Sequence, residues 1–165
     1  MKKTLLLVRH AKTEKDHESG MDSERKLTAR GKEDARKMAI YLRNEAVPID
    51  TFISSPAARA RKTCKIFTEV YGTSPDKIIF KETLYLPDPV NFIQAISKID
   101  DSADHIAIFS HNPGITEFAG SLCNDVSIDH MPPGSVFAVE ADIKNWKDFE
   151  SAKKRFLFFR QPLLL

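Results

Sequence analysis

Two short apolar runs in this 165-residue chain each lead into a histidine. LLLV, residues 5–8, is followed by Arg9 and His10, and IAIF, residues 106–109, is followed by Ser110 and His111. A third run, TFISS at residues 51–55, opens onto Pro56 and then Arg59. A neutral imidazole can act as nucleophile or proton carrier near neutral pH. A guanidinium stays charged and can bind two oxygens of one phosphate at once. Two histidines and two arginines gathered in one place could therefore bind a phosphoryl group and attack it. Taken singly, each cluster also has an ordinary explanation. His10 and His111 could be strand-end structural residues, and Arg59 could belong to a solvated basic helix face with Arg61 and Lys62.

The elements that must bring these residues together are legible from the pattern of apolar residues. TLLLV, residues 4–8, reads as a central strand covered on both faces. Ala35, Met38, Ala39 and Leu42 recur at helical spacing and predict a helix from about residue 31 to 44. Residues 51–55 form a second strand, followed by a helix with Pro56 in its first turn and Gly72 at its stop. KIIFKE, residues 77–82, reads as a third strand. After the proline-broken LPDPV comes a helix over residues 91–99, then a fourth strand over 105–110 and a helix starting near Pro113. SVFAVEAD and KKRFLFFR supply two late strands. Strands alternating with helices predict an α/β fold, layered α/β/α with a mostly parallel central sheet. All three polar clusters then fall at the carboxyl ends of strands, the edge where open α/β sheets bind ligands.

LVRHA, SSPAARARKT and SHNPG match, in order and approximate spacing, the motifs of the histidine phosphatase superfamily, the phosphoglycerate mutase-like proteins. RHAK, the LTARG segment at residues 27–31 and SHNPG resemble the small SixA-type phosphohistidine phosphatases within it. The resemblance runs from Thr4 to about Gly120. It implies that His10 attacks phosphorus and becomes phosphorylated, with Arg9, Arg59 and His111 completing a phosphate pocket, and that neither a cofactor nor a metal takes part. The arginines beside His10 would keep its ring neutral and then stabilise the transferred group, whose transition state spreads charge over three oxygens. No histidine pair stands at metal-ligand spacing.

Other residues carry open readings. Asp22 and Arg25 occupy the place of an acidic residue and an arginine that SixA-like proteins often carry before LT-x-x-G, although Lys26 stands where a proline is common. Arg25 either binds substrate or braces its loop. Arg30, at a helix start, reads as structural. Lys12 and Asn112, next to motif residues, either donate to phosphate or are solvated. Glu82 stands near the position where many superfamily members supply a proton donor, and reads equally as a glutamate solvated at a strand end. His17, His105 and His130 have no motif partner.

Composition sets the outer bounds. The chain is 42% hydrophobic and 29% charged with a formal charge of +2, which demands no nucleic acid, and its length fits one domain over residues 1–165. No apolar run reaches the length of a bilayer span or of a signal-peptide core, so a cytoplasmic protein is expected, with Cys64 and Cys123 reduced and buried. Between Glu82 and His105 there is room only for a turn and one short helix, so the cap is minimal and the pocket shallow. A shallow pocket fits a phosphohistidine projecting from a protein, which family resemblance places on histidine phosphotransfer domains or phosphocarriers. The leading expectation is a metal-independent phosphohistidine phosphatase. Its rivals are a phosphatase or mutase for small phosphate esters and a non-catalytic phosphoprotein-binding module. The C-terminal FLFFRQPLLL is expected to be a final strand and a packed terminus.

Overall fold

The computed structural model describes residues 1–15 and 20–165, so His17 lies outside the described residues. Among the described residues six strands form one sheet: β1 (Lys2–Arg9), β2 (Thr51–Ser54), β3 (Ile79–Phe80), β4 (His105–Ser110), β5 (Val136–Asp142) and β6 (Lys154–Arg160). Their order across the sheet is β3-β2-β4-β1-β5-β6. β1 pairs in parallel with β4, β4 with β2 and β2 with β3, while β5 runs antiparallel to both β1 and β6. The sheet is thus mostly parallel, with one reversed strand.

Strand alternation sorts the apolar residues onto two faces. Leu5, Leu7, Ile106, Ile108 and Phe137 face a core shared with α3 (Pro89–Ser97) and α4 (Gly114–Leu122), through Phe92, Ile96, Ile115 and Phe118. Leu6, Val8, Ala107, Phe109 and Ala138 face the opposite core, built with α1 (Ala29–Asn44) and α2 (Ala58–Tyr71) through Met38, Leu42, Cys64 and Phe67. Covering both faces explains why β1 and β4 read as continuous apolar runs. Cys64 and Cys123 are buried free thiols, and among the described residues no helix is long and apolar enough to cross a membrane.

Several element boundaries differ from the sequence reading. α1 begins two residues early because Thr28 caps it, its hydroxyl accepting the Gly31 N–H at 2.9 Å. Pro56 stands outside α2, before the N-cap residue Ala57, whereas Gly72 ends the helix in the left-handed conformation as expected. The third strand shrinks to Ile79 and Phe80, bounded by 3-10 turns at Pro75–Lys77 and Glu82–Leu84. It is a sheet edge with both side chains exposed, so little apolar burial extends it. The C-terminus is only partly packed: Leu165 joins the α1/α2 core, but Leu163 and Leu164 are 80% and 76% exposed.

Candidate active site

His10 leaves the sheet between β4 and β5. Its N–H donates to the Ser110 carbonyl at 3.2 Å, and the Gly134 N–H is shared by the Arg9 and His10 carbonyls at 3.1 and 3.0 Å. Gly134 adopts φ +77°, a conformation glycine reaches without strain. One residue on, the Ala11 N–H donates to Thr63 Oγ1 at 3.1 Å, and that hydroxyl donates to the Arg59 carbonyl at 2.8 Å. The backbone around His10 is therefore tied to β4, to the loop entering β5 and to α2, the element that carries Arg59.

Both imidazoles are buried, with ring centroids 5.3 Å apart. His10 Nδ1 lies 2.8 Å from the Ala11 carbonyl, which can only accept, so Nδ1 carries the ring proton and Nε2 keeps its lone pair. Burial pushes the His10 pKa down to about 3, helped by the charges of Arg9, Arg59 and Arg25 and opposed by the bond to Ala11. His111 is lowered to about 3 by burial and then by His10 and Arg59. Its Nε2 lies 2.7 Å from Ser55 Oγ, which already accepts the Ala57 N–H at 3.2 Å. Among the described residues the Ser55 O–H has no acceptor other than His111 Nε2, so donation to Nε2 satisfies both and leaves the other ring nitrogen as the donor.

Among the described residues three buried side-chain nitrogens have no hydrogen-bond partner: Arg9 Nε, Arg59 Nε and His111 Nδ1. Buried donors left unpaired are costly, so their occurrence together in one cluster marks a place built for an acceptor. Arg9 is anchored from the far side by Nη1 donating to the Met131 carbonyl at 2.8 Å. Burial and the neighbouring Arg59 charge lower its pKa. Fixed guanidinium donors, an unpaired imidazole N–H and a neutral imidazole with a free lone pair together can bind a tetrahedral oxyanion and attack its centre.

Residues 5–84 match the family model of the histidine phosphatase superfamily, branch 1. The matched stretch is just under half of the chain. Over 94% of its length it is 29% identical to an uncharacterized protein of Mycobacterium leprae, ML1117, of which it covers 99%. In fold, the chain matches a solved protein of Nakamurella multipartitia designated a phosphohistidine phosphatase SixA. The TM-score is 0.85 at 21% identity, covering 99% of this chain and 98% of the other. A structure of the protein histidine phosphatase SixA complexed with tungstate superposes with a TM-score of 0.80 at 20% identity, covering 98% of each chain. The α/β architecture is thus the phosphoglycerate mutase-like one.

The rim of the site is organised by Asp22. Its carboxylate accepts from Tyr85 Oη at 2.6 Å, Arg59 Nη2 at 2.9 Å and Arg25 Nε at 3.1 Å, and its carbonyl accepts from Arg59 Nη1 at 2.7 Å. These bonds, that of Tyr85 first, hold its pKa down at about 2, so Asp22 is an anion at neutral pH. Arg25 also donates to Thr13 Oγ1 at 2.9 Å, bracing its loop while its charge acts on His10. Tyr85 packs edge-on against His111 at 5.5 Å and beneath the Arg59 guanidinium at 5.9 Å. Sequence reasoning did not single out Tyr85; nothing in LYLP distinguishes a site tyrosine from a surface one.

Asn112 turns its amide inward to the protein, Nδ2 donating to the Met131 carbonyl at 3.1 Å and Oδ1 accepting from Thr116 at 2.6 Å. It thereby shares Met131 with Arg9. Glu82 is exposed in the turn leading to Tyr85, on the wall of an open depression of about 600 Å³ that also includes Tyr85 and Arg61. Arg30 pairs with Asp34 at 3.1 Å, away from the site. Lys12 is exposed, His130 is exposed, and His105 meets Thr4 Oγ1 at the opposite end of the strands. Among the described residues no group of three His, Cys, Asp or Glu could hold a metal ion.

Proposed function

We propose that this protein is a metal-independent phosphatase acting through a phosphohistidine on His10, and that its substrate is phosphohistidine carried by a protein. The supporting observation is the set of unpartnered donors, Arg9 Nε, Arg59 Nε and His111 Nδ1, around a neutral His10 whose Nε2 lone pair is free. His10 Nε2 attacks phosphorus in line; the bond from phosphorus to the substrate imidazole breaks, and its electron pair stays on the leaving nitrogen. Water then attacks phospho-His10, releasing orthophosphate and restoring the imidazole. The charge developing on the three equatorial oxygens is met by donors already in place, which is where most of the catalysis in phosphoryl transfer resides.

The choice of phosphohistidine rests on the proton donors available. Asp22 is held ionised, and Glu82 is exposed at the rim, so neither is a built-in acid for an alkoxide leaving group. An imidazole already protonated on its distal nitrogen leaves as a neutral ring, with a conjugate-acid pKa of about 6.5, and needs little such help. A cap reduced to a 3-10 turn and the nine-residue α3 leaves the site open to a protein surface.

The test offers a histidine-phosphorylated protein and p-nitrophenyl phosphate to wild type and His10→Ala in the presence of EDTA. The expected result is release of orthophosphate from the phosphoprotein by wild type, through an acid-labile phosphoenzyme, with the ester hydrolysed far more slowly. Turnover that survives His10→Ala, or that EDTA abolishes, overturns the mechanism. Preference for the ester overturns the substrate class, and stable phosphoprotein binding without release makes the protein a binding module.

A further inference from the structure

The charge on α2 runs against the helix dipole. The amino end of a helix carries partial positive charge and favours acidic side chains, yet the first turn of α2 contains no acid and the helix opens Ala58-Arg59-Ala60-Arg61-Lys62, with Lys65 one turn on. Arg61, Lys62 and Lys65 also lie three and four residues apart, so their like charges repel along one stripe. Arg59 is accounted for by the phosphate site. The other three play no part in it.

These cations line a groove of about 370 Å³ together with Lys26 and with Lys32 from the first turn of α1. None of the five has an ion pair among the described residues, whereas cations elsewhere on the same helices do: Arg30 meets Asp34 and Arg36 meets Glu69. The groove shares Lys26, Ala58 and Arg61 with the depression that includes Tyr85 and Glu82. It therefore adjoins that depression, whose Tyr85 packs against His111 and Arg59. Leu27 and Ala58 complete its lining, which contains no acidic side chain among the described residues.

Resting on the phosphohistidine phosphatase reading, we propose that the groove between the first turns of α1 and α2, lined by Lys26, Lys32, Arg61, Lys62 and Lys65, docks an acidic face of the protein that presents the phosphohistidine. Five cations without an ion pair among the described residues, three of them on α2 and one in the first turn of α1, are stabilised when carboxylates meet them. Because the groove adjoins the depression bordered by Tyr85, whose ring packs on His111, an acidic segment lying in it brings the neighbouring phosphohistidine towards His10. From Ala58 to Lys65 the stripe rises about 10 Å. Side chains two to five residues from a phosphohistidine in an extended segment span about 7 to 17 Å, which covers it.

The test uses three phosphohistidine peptides of equal length, flanked on both sides by four glutamates, four glutamines or four lysines, together with free phosphohistidine. At 50 mM salt the wild type should favour the glutamate peptide over the lysine peptide by about tenfold or more in kcat/KM, and the preference should shrink strongly at 300 mM. The Lys62→Glu/Lys65→Glu variant should reverse the order while hydrolysing free phosphohistidine within about twofold of wild type. Equal treatment of the three peptides, or an unchanged preference in the variant, overturns the docking surface. Loss of free phosphohistidine turnover in a variant with wild-type circular dichroism also overturns it, because the lysines would then serve the site. Fluorescence anisotropy of the unphosphorylated peptides is measured alongside. If the wild type hydrolyses none of the substrates the phosphatase reading fails, while ranked binding still supports the groove and unranked binding rejects it.

Discussion

Asp22 and Arg59 are 37 residues apart in sequence, yet one residue holds both terminal nitrogens of the other: Arg59 Nη1 donates to the Asp22 carbonyl at 2.7 Å and Nη2 to its carboxylate at 2.9 Å. Arg59 Nε is left without a partner. Asp22 thus orients the guanidinium and also sets a fixed negative charge beside the place where a phosphoryl group would bind.

Asp22→Asn keeps the shape of that contact and removes its charge. Orthophosphate and orthovanadate should then inhibit about three- to tenfold more tightly, a change of about 0.7 to 1.4 kcal/mol, measured as Ki at constant ionic strength. Weaker inhibition would show that holding Arg59 matters more than the repulsion.

The two site histidines should remain neutral well below the range of an ordinary imidazole. Burial lowers both to about 3, so the imidazole nitrogen and carbon resonances of His10 and His111 should stay constant from pH 8 to pH 5 in an NMR titration. An inflection near the reference value of about 6.5 in either ring would contradict the buried, arginine-flanked environment.

The same shifts make stability depend on pH. The unfolded histidines bind protons below about 6.5 while the folded ones do not until about 3, so the unfolded state holds more protons between those values. The contribution is fully present above pH 6.5 and is lost on acidification, by up to about 1.4 kcal/mol per pH unit for each histidine. Urea midpoints should fall steadily from pH 7 to pH 4.5. The slope should ease when His111 is replaced by glutamine, which does not titrate.

Gly114 follows the His111-Asn112-Pro113 turn, and a Cβ there would collide with the Pro87 carbonyl oxygen, two residues beyond Tyr85. Backbone must move to admit it. Gly114→Ala should cost about 1 to 3 kcal/mol and lower Tm by roughly 3 to 10 °C, and it should raise KM because the Tyr85 and His111 segments are displaced together. A variant with unchanged Tm would rule out this close approach.

Much of this protein is local and therefore legible in its residues. LLLV and IAIF are apolar without a break because strands covered on both faces have no solvent side, and that alone located β1, β4 and the histidines at their ends. Helical spacing placed α1, and Gly72 marked the end of α2, because amphipathic period and left-handed backbone depend on neighbours in sequence. β3 shrank to two residues because an edge strand gains too little burial to extend. Only the tertiary structure decided that Asp22 would hold Arg59, that Tyr85 would join Asp22 to His111, and that Arg61, Lys62 and Lys65 would border one groove with Lys26 and Lys32. It also assigned the imidazole protons, through the Ala11 carbonyl and Ser55 Oγ. The physical reason is range. Burial of an alternating or continuous apolar pattern is decided within one element, whereas the partner of a charge or a ring nitrogen depends on the path of the chain between elements far apart in sequence.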